Sequence, residues 1–224
     1  AATAAAGMIV GSVTLTGLGL KLANGLVTLA KGNLLLTMFY TMITSLILGM
    51  GSPTTANYVI TSTIAAPALV RLGVPLLAAH LFVFYFGIVA DLTPPVALAA
   101  YAGAGIAKGE PMRTGINATK LAIGAFLIPY IFVMSPQLLL VNTTFLEAVR
   151  VALGAIIGMV SIESAVQGWL LVATNVLERI LLAAAGLMLI NPDLLTDAIG
   201  LGLFLALYLG QRWRARKQGI TYLL

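Results

Sequence analysis

Cysteine is absent from the 224 residues and histidine occurs once, as His80. Disulfides, thiol catalysis and cysteine-ligated metals are therefore excluded, and His80 alone cannot build a metal cluster. Charge is scarce as well: 12 Lys and Arg with 7 Asp and Glu make up 8% of the chain, against about 25% in an average soluble domain. So few charges cannot clothe a soluble domain of this length. No Gly-rich loop followed by Lys-Ser/Thr occurs, and no Ser/His/Asp set with a usable base can be assembled, so neither ATP hydrolysis nor an enzyme is expected. What the chain has instead is apolar sequence: 60% hydrophobic residues and a mean hydropathy of +1.06. Several runs approach the ~20 residues that cross a bilayer as helix. They are continuous and rich in Ala, Leu and Gly, without the ~10-residue alternation of a β-barrel. The reading is an all-α, polytopic membrane protein.

The net charge is +5, and its placement says more than its sign. Arg212, Arg214, Arg216 and Lys217 follow the last apolar run, which by the positive-inside tendency places the C-terminal end in the cytoplasm. Such a basic juxtamembrane cluster suits anionic lipid, and no nucleic-acid partner is expected. The opening residues Ala1 to Gly7 lack both an initiator Met and the charged leader of a signal peptide, and read as a cut inside a membrane segment of a longer chain.

Along the chain, Ala2 to Val13 and Leu20 to Ala30 are apolar around a Gly/Thr-rich weak point at Thr14–Gly19, which reads as a broken spanning helix. Leu34 to Leu48 and Ala56 to Val70 are arms of about 15 residues, marginal for crossing, and they flank Gly49-Met50-Gly51-Ser52-Pro53-Thr54-Thr55. This is the pattern of a re-entrant hairpin over 34–70. Pro75 to Gly87 and Val96 to Ala107 flank a second break, Asp91-Leu92-Thr93-Pro94-Pro95, giving a discontinuous crossing helix over 75–107. A polar connector through Arg113 follows, then Gly115 to Met134 with Pro129 inside, Phe145 to Val172, and two short spans, Asn175–Ile190 and Leu194–Leu209. The expected organisation is a transport-type unit over 1–111 and C-terminal transmembrane helices with a basic tail over 112–224.

Both breaks have chemistry suited to a small cation. Irregular backbone at membrane depth persists only where protein buries it or where it lines a binding cavity, and in secondary transporters paired interruptions point to the substrate and ion site. Gly49 and Gly51 permit backbone angles that expose carbonyls, Pro53 removes a donor, and Ser52, Thr54 and Thr55 add hydroxyl oxygens. Hard cations take such oxygens, and a mostly neutral shell favours Na⁺ over Mg²⁺. Thr93 offers a hydroxyl on the facing wall, and Pro94 and Pro95 leave the carbonyls of Val89 to Asp91 without helical partners. Helix N-termini starting near Thr54 and Val96 suit an anionic substrate group. Asp91 is a carboxylate inside a membrane segment, read as a cation ligand or proton carrier, or else as the cap of a helix starting at Thr93 or Pro94. Asn57, with Tyr58, lies just past the tip, within reach of substrate or packed. His80 and Tyr85 are expected on packed helix surfaces. Glu147 with Arg150, and Glu178 with its neighbour Arg179, fit helix ends at the membrane interface.

These residues also carry a resemblance. The run from Gly49 to Tyr58, followed by Phe86-Gly87-Ile88-Val89-Ala90-Asp91-Leu92-Thr93-Pro94-Pro95-Val96, resembles the large membrane subunit of the tripartite ATP-independent periplasmic (TRAP) transporters. With Ala4-Ala5-Ala6-Gly7-Met8-Ile9-Val10-Gly11 and Leu15-Thr16-Gly17-Leu18-Gly19, it is most similar to the fused-permease branch that works with TAXI-type receptors, close up to about Pro111. The resemblance implies an elevator-type, sodium-coupled importer of organic acids, of which this is the C-terminal portion. It further implies a periplasmic solute receptor, a small four-helix membrane subunit fused upstream, and a multi-pass location in the bacterial inner membrane. Gly49, Gly51, Pro53, Thr54, Thr93, Pro94 and Pro95 would form a sodium site with Na⁺ as coupling ion and no other cofactor. Ser52, Thr55, Asn57 and Asp91 would face an organic anion. The chain departs from the family at Ala97, where many relatives carry Gly. An ion channel and a non-transporting structural membrane subunit are the alternative functions.

The charge asymmetry makes a direct prediction. A fluorescent protein that matures only in the cytoplasm, fused after Leu224, is expected to fluoresce, and an alkaline phosphatase fused there to stay inactive. The opposite pattern would invert the topology.

Overall fold

The structure, a computed structural model, describes residues 2–191 and 193–217. Among these residues it is all helical, with one isolated antiparallel bridge between Trp169 and Ala173. The chain divides into two compact units between Val133 and Met134.

The first unit opens with α1 (Ala2–Thr16) and α2 (Leu18–Leu29), broken at Gly17, which adopts φ 64. The two axes bend by 70° there, because only a residue without Cβ takes this left-handed conformation cheaply. Asn33 accepts the amide of Leu36 and caps α3 (Leu34–Gly49). A turn through Gly51, at φ 70, leads to α4 (Thr54–Ile64) and the short α5 (Ala66–Val70). Both α4 and α5 return along α3, so 34–70 is a helical hairpin. Its outer faces pack on α1, on α2 and on α6 (Leu76–Val89). A single 3-10 turn, Ala90–Leu92, and the irregular stretch 93–97 separate α6 from α7 (Leu98–Ala107). Next come α8 (Pro111–Leu121) and α9 (Ile123–Met134), which together are long and apolar enough to cross a membrane. Phe82 and Phe86 of α6 meet Tyr130 of α9 edge to face, at ring separations of 5.3 and 5.9 Å. This geometry is the favoured one for aromatic quadrupoles.

The second unit is a three-helix arrangement of α10 (Phe145–Gln167), α11 (Val176–Ile190) and α12 (Leu194–Lys217). Thr144 with Glu147, and Asn175 with Glu178, form reciprocal capping boxes at the starts of α10 and α11. Small residues let the backbones approach: a Cβ on Gly186 would lie 2.6 Å from the Gly158 carbonyl, and Ser161 donates to the Leu182 carbonyl at 2.7 Å. Close glycine contacts plus an interhelical hydroxyl bond are the attraction available where lipid removes the hydrophobic driving force.

Several boundaries differ from the sequence reading. The Val96 helix start is corrected to Leu98, because 93–97 is occupied by a turn with a cis Pro94–Pro95 peptide and Ala97 at φ 39. The polar connector through Arg113 is instead the first turn of α8, with Pro111 at the position where a missing N–H is harmless. Phe145–Val172 stops at Gln167, since Gly168 turns left-handed at φ 75. The span from Leu194 runs 24 residues to Lys217 and is not short. The charge neighbours also resolve across helices: Arg150 pairs with Asp197 at 3.1 Å, and Glu178 with Arg214. Arg179 donates instead to the Ala165 and Val166 carbonyls, at 2.7 and 3.1 Å, satisfying the end of α10.

Ala97 is fully buried and left-handed, a conformation that costs a residue with Cβ about 1–2 kcal/mol. Ala97→Gly should therefore stay within about 1 kcal/mol of the parent, relief of strain offsetting one lost methyl. Ala97→Val should lose at least about 2 kcal/mol by adding β-branching at positive φ. Thermal unfolding in detergent checks both.

Candidate functional site

The hairpin closes on the broken helix around one side chain. Asn57, one turn into α4, is 2% exposed and lies between Gly49 of α3 and Gly87 of α6. A Cβ on Gly49 would sit 2.6 Å from the Gly87 carbonyl oxygen and 2.9 Å from Asn57 Nδ2. One on Gly87 would sit 2.7 Å from Asn57 Oδ1. No residue larger than glycine fits either place, so the two helices touch through backbone with the carboxamide between them. Asn57 Oδ1 is buried and accepts no hydrogen bond. Leaving such an acceptor unpaired costs about 1–3 kcal/mol.

A second unpaired oxygen belongs to Asp91, whose Oδ1 is buried in the 3-10 turn. No helix starts at Thr93 or Pro94, so the capping role weighed for Asp91 is absent. A cavity of about 150 Å³ opens where α3 faces the break, lined by Ile43, Ile47 and Met50 on one side and Ala90, Thr93 and Pro94 on the other. Met50 directly follows Gly49, so cavity and clamp share the end of the same helix.

The structure distributes the sequence-derived residues unevenly. Gly49 is buried in the clamp. Thr93 and Pro94 line the cavity. Gly51 forms the exposed left-handed corner of the turn, and the Ser52 amide donates to the Gly49 carbonyl at 3.3 Å. The carbonyls of Met50, Gly51 and Ser52 accept no backbone hydrogen bond. Pro53 precedes α4, and its carbonyl accepts the Asn57 amide at 2.9 Å. Thr54 and Thr55 are exposed in the first turn of α4, outside the cavity lining. Pro95 is exposed, and its carbonyl accepts the Tyr101 hydroxyl at 3.0 Å.

The bare carbonyls expected at Val89 to Asp91 need correction. The Thr93 amide turns to Ala90 at 3.2 Å, replacing the helical donor that Pro94 lacks, and the Thr93 hydroxyl serves Val89 in its stead at 2.8 Å. Of the three, Asp91 keeps a carbonyl without a donor. Thr93 retains its lone pairs, and its role as an acceptor is unaffected.

Sequence reasoning missed Gly87 as a contact residue and missed two hydroxyls behind the clamp. Thr37, Thr41, Ser45 and Gly49 recur every four residues along the buried face of α3. Thr37 donates to its own helix at Asn33, as Thr44 does to Tyr40. Thr41 Oγ1 and Ser45 Oγ are fully buried with no partner. The four-residue spacing in an apolar helix, and the lone glycine in the apolar run Phe82–Val89, were the legible signals. Tyr58, also past the tip, meets His80 Nδ1 at 2.9 Å on a half-buried face. Among the described residues no group of three or more His, Asp or Glu converges to hold a metal ion.

Long apolar helices, a helical hairpin, and a broken helix closing on its tip define a helical membrane protein. The sequence profile described as "Tripartite ATP-independent periplasmic transporter, DctM component" matches residues 1–149. The match covers more than half of the chain, and the chain belongs to that family. It is thus a membrane component of a TRAP-type transporter, and the family is one of transporters, not enzymes. Membership implies a periplasmic solute receptor and a small membrane subunit as partners. A second profile, a domain of unknown function (DUF3394), matches residues 148–201. No curated protein and no solved structure matches the chain.

The clamp predicts a sharp glycine dependence. Gly87→Ala should destabilise the protein by about 2–3 kcal/mol, since the new methyl meets a wedged carboxamide that has nowhere to go. Gly51→Ala should cost only about 1–2 kcal/mol, from its left-handed backbone alone. Thermal unfolding of both variants in one detergent reads the difference, and equal shifts would refute the clamp.

Proposed function

We propose that this chain is the C-terminal portion of a sodium-coupled TRAP permease, and that Na⁺ and an organic anion bind where the hairpin meets the broken helix. The observation that carries this reading is the unpaired Asn57 Oδ1, buried between Gly49 and Gly87. A buried acceptor without a donor is a site held ready for something positive. Na⁺ suits an amide oxygen supplemented by hydroxyls and carbonyls better than a dication does. This reading further assigns to the ion the Thr93 hydroxyl, the Asp91 carboxylate and the carbonyls of Met50, Gly51 and Ser52, with Gly49 and Pro94 shaping the backbone. Half-buried Ser52 in the turn, and Thr54 and Thr55 exposed in the first turn of α4, offer hydroxyls and a helix N-terminus to a carboxylate substrate. Gly51, Pro53 and Pro95 shape the turns that present them.

Coupling follows from the same unpaired groups. In this reading 34–70 is re-entrant, and it moves with the broken helix as one rigid body across the bacterial inner membrane, in the manner of an elevator. Bare oxygens are costly to carry through hydrocarbon. Bound Na⁺ neutralises them, so the unit moves readily when loaded and poorly when half loaded. A TAXI-type receptor delivers the organic acid, and the small subunit is fused upstream.

The test is uptake by the complete transporter with its receptor in proteoliposomes. Asn57→Leu and Thr93→Val are each expected to raise the Na⁺ concentration for half-maximal uptake at least about tenfold, equal to ~1.4 kcal/mol of lost binding. Unchanged sodium dependence in both would remove the coupling proposal. Uptake that persists as passive ion current would favour the channel alternative.

A further inference from the structure

The second unit holds a feature that no transport role has used. α10 and α12 each pack extensively on α11 but barely on one another. A groove of about 350 Å³ is left between them, walled by Leu153, Gly154, Ile157, Leu189, Ala198 and Leu201. At its head stands the Arg150–Asp197 pair, with side chains 37% and 20% exposed. The groove and its head fall inside 148–201, the stretch matched by the domain of unknown function.

From this geometry we infer that the groove is a phospholipid site, with phosphatidylethanolamine as its occupant. Charge complementarity identifies the headgroup. Arg150 spends one N–H, from Nη1, on Asp197 Oδ2 at 3.1 Å, and a guanidinium has five donors in a fork that matches phosphate. Asp197 Oδ1 makes no hydrogen bond and lies where a Cβ on Gly154 would be 3.8 Å away, at the groove wall. A cation and an anion side by side, each with spare capacity, match a phosphate and an N–H-bearing ammonium linked by two carbons. The apolar walls below receive an acyl chain. Position agrees as well: Arg150 stands in the second turn of α10 and Asp197 in the first turn of α12, so both lie at one end of the unit. The basic run Arg212–Lys217 at the far end of α12 faces the cytoplasm, which puts the pair among the headgroups of the other leaflet. Exposure of Ala198 and Leu153 leaves the groove open sideways to lipid.

Native mass spectrometry of the full chain, extracted in mild detergent and challenged with phosphatidylethanolamine or phosphatidylglycerol, tests this. The unaltered protein is expected to retain phosphatidylethanolamine and to exchange it for phosphatidylglycerol poorly. Ala198→Trp fills the groove from an exposed position without entering the core, and should lower retention about tenfold. The double variant R150Q/D197N keeps the walls and should retain both lipids equally. Undiminished phosphatidylethanolamine on Ala198→Trp, or equal retention of both lipids by the unaltered protein, would overturn the inference. So would loss of a co-purifying helical subunit from Ala198→Trp in place of lipid, since the groove would then be a protein interface.

Discussion

In an apolar surrounding every peptide group and side-chain oxygen must find a partner or be held for a ligand, and the contact of Gly49, Asn57 and Gly87 is where this constraint bears hardest. Two helices approach until only glycine fits, and a carboxamide fills the remaining gap with its oxygen unpaired. The hairpin turn, the return of α4 along α3 and the placement of α6 all have to be right for that contact to form. Thr93 shows the same constraint being met from within the chain: where two prolines remove helical donors, its hydroxyl and amide supply the Val89 and Ala90 carbonyls. The break is therefore mostly self-satisfied, and Asn57 Oδ1 and Asp91 Oδ1 are the side-chain oxygens left there without donors.

The second unit meets the constraint differently. Gln211 is 1% exposed, yet its Oε1 receives the amides of Leu171 and Val172 at 3.1 and 3.3 Å and its Nε2 donates to Glu178. Glu178 serves at once as a helix cap, a partner of Arg214 and an acceptor from Gln211. Arg179 closes the C-terminus of α10. One end of the three-helix unit is thus a connected polar network, in which each member is satisfied by a residue distant in sequence. Lys217 over the Trp213 ring, at 3.7 Å, continues the same end toward the membrane surface.

Much of this was legible before any coordinates. Gly17 and Gly51 stand where the chain turns left-handed, inside breaks read from sequence, and Asn175, read as the start of a span, caps the helix that begins there; Gly168, read through as helix, is the exception. Local rules cover those places, because backbone conformation and capping involve residues a few positions apart. Local rules failed at Val96, where sequence pattern continued a helix that the turn before Leu98 forbids. Glu147 and Glu178 do stand at helix starts, as read, but the partners of Glu178 and Arg179 on other helices lay beyond local rules. Ala97, the position singled out as a departure from the resemblance, occupies a positive-φ conformation.

Composition and order of residues by themselves determined the membrane class, the helical elements, the two interruptions and the family, since each rests on hydropathy over ~20 residues or on backbone preferences of single residues. Tertiary structure alone decided which oxygens are left without donors. Thr41, Ser45 and Asn57 look like any polar residue in an apolar helix until packing leaves an oxygen of each buried without a donor, and only the fold sets Thr54 and Thr55 in the exposed first turn of α4, outside the cavity lining. Whether a polar atom is paired depends on groups brought close from elsewhere in the chain, and that distance is not written in sequence.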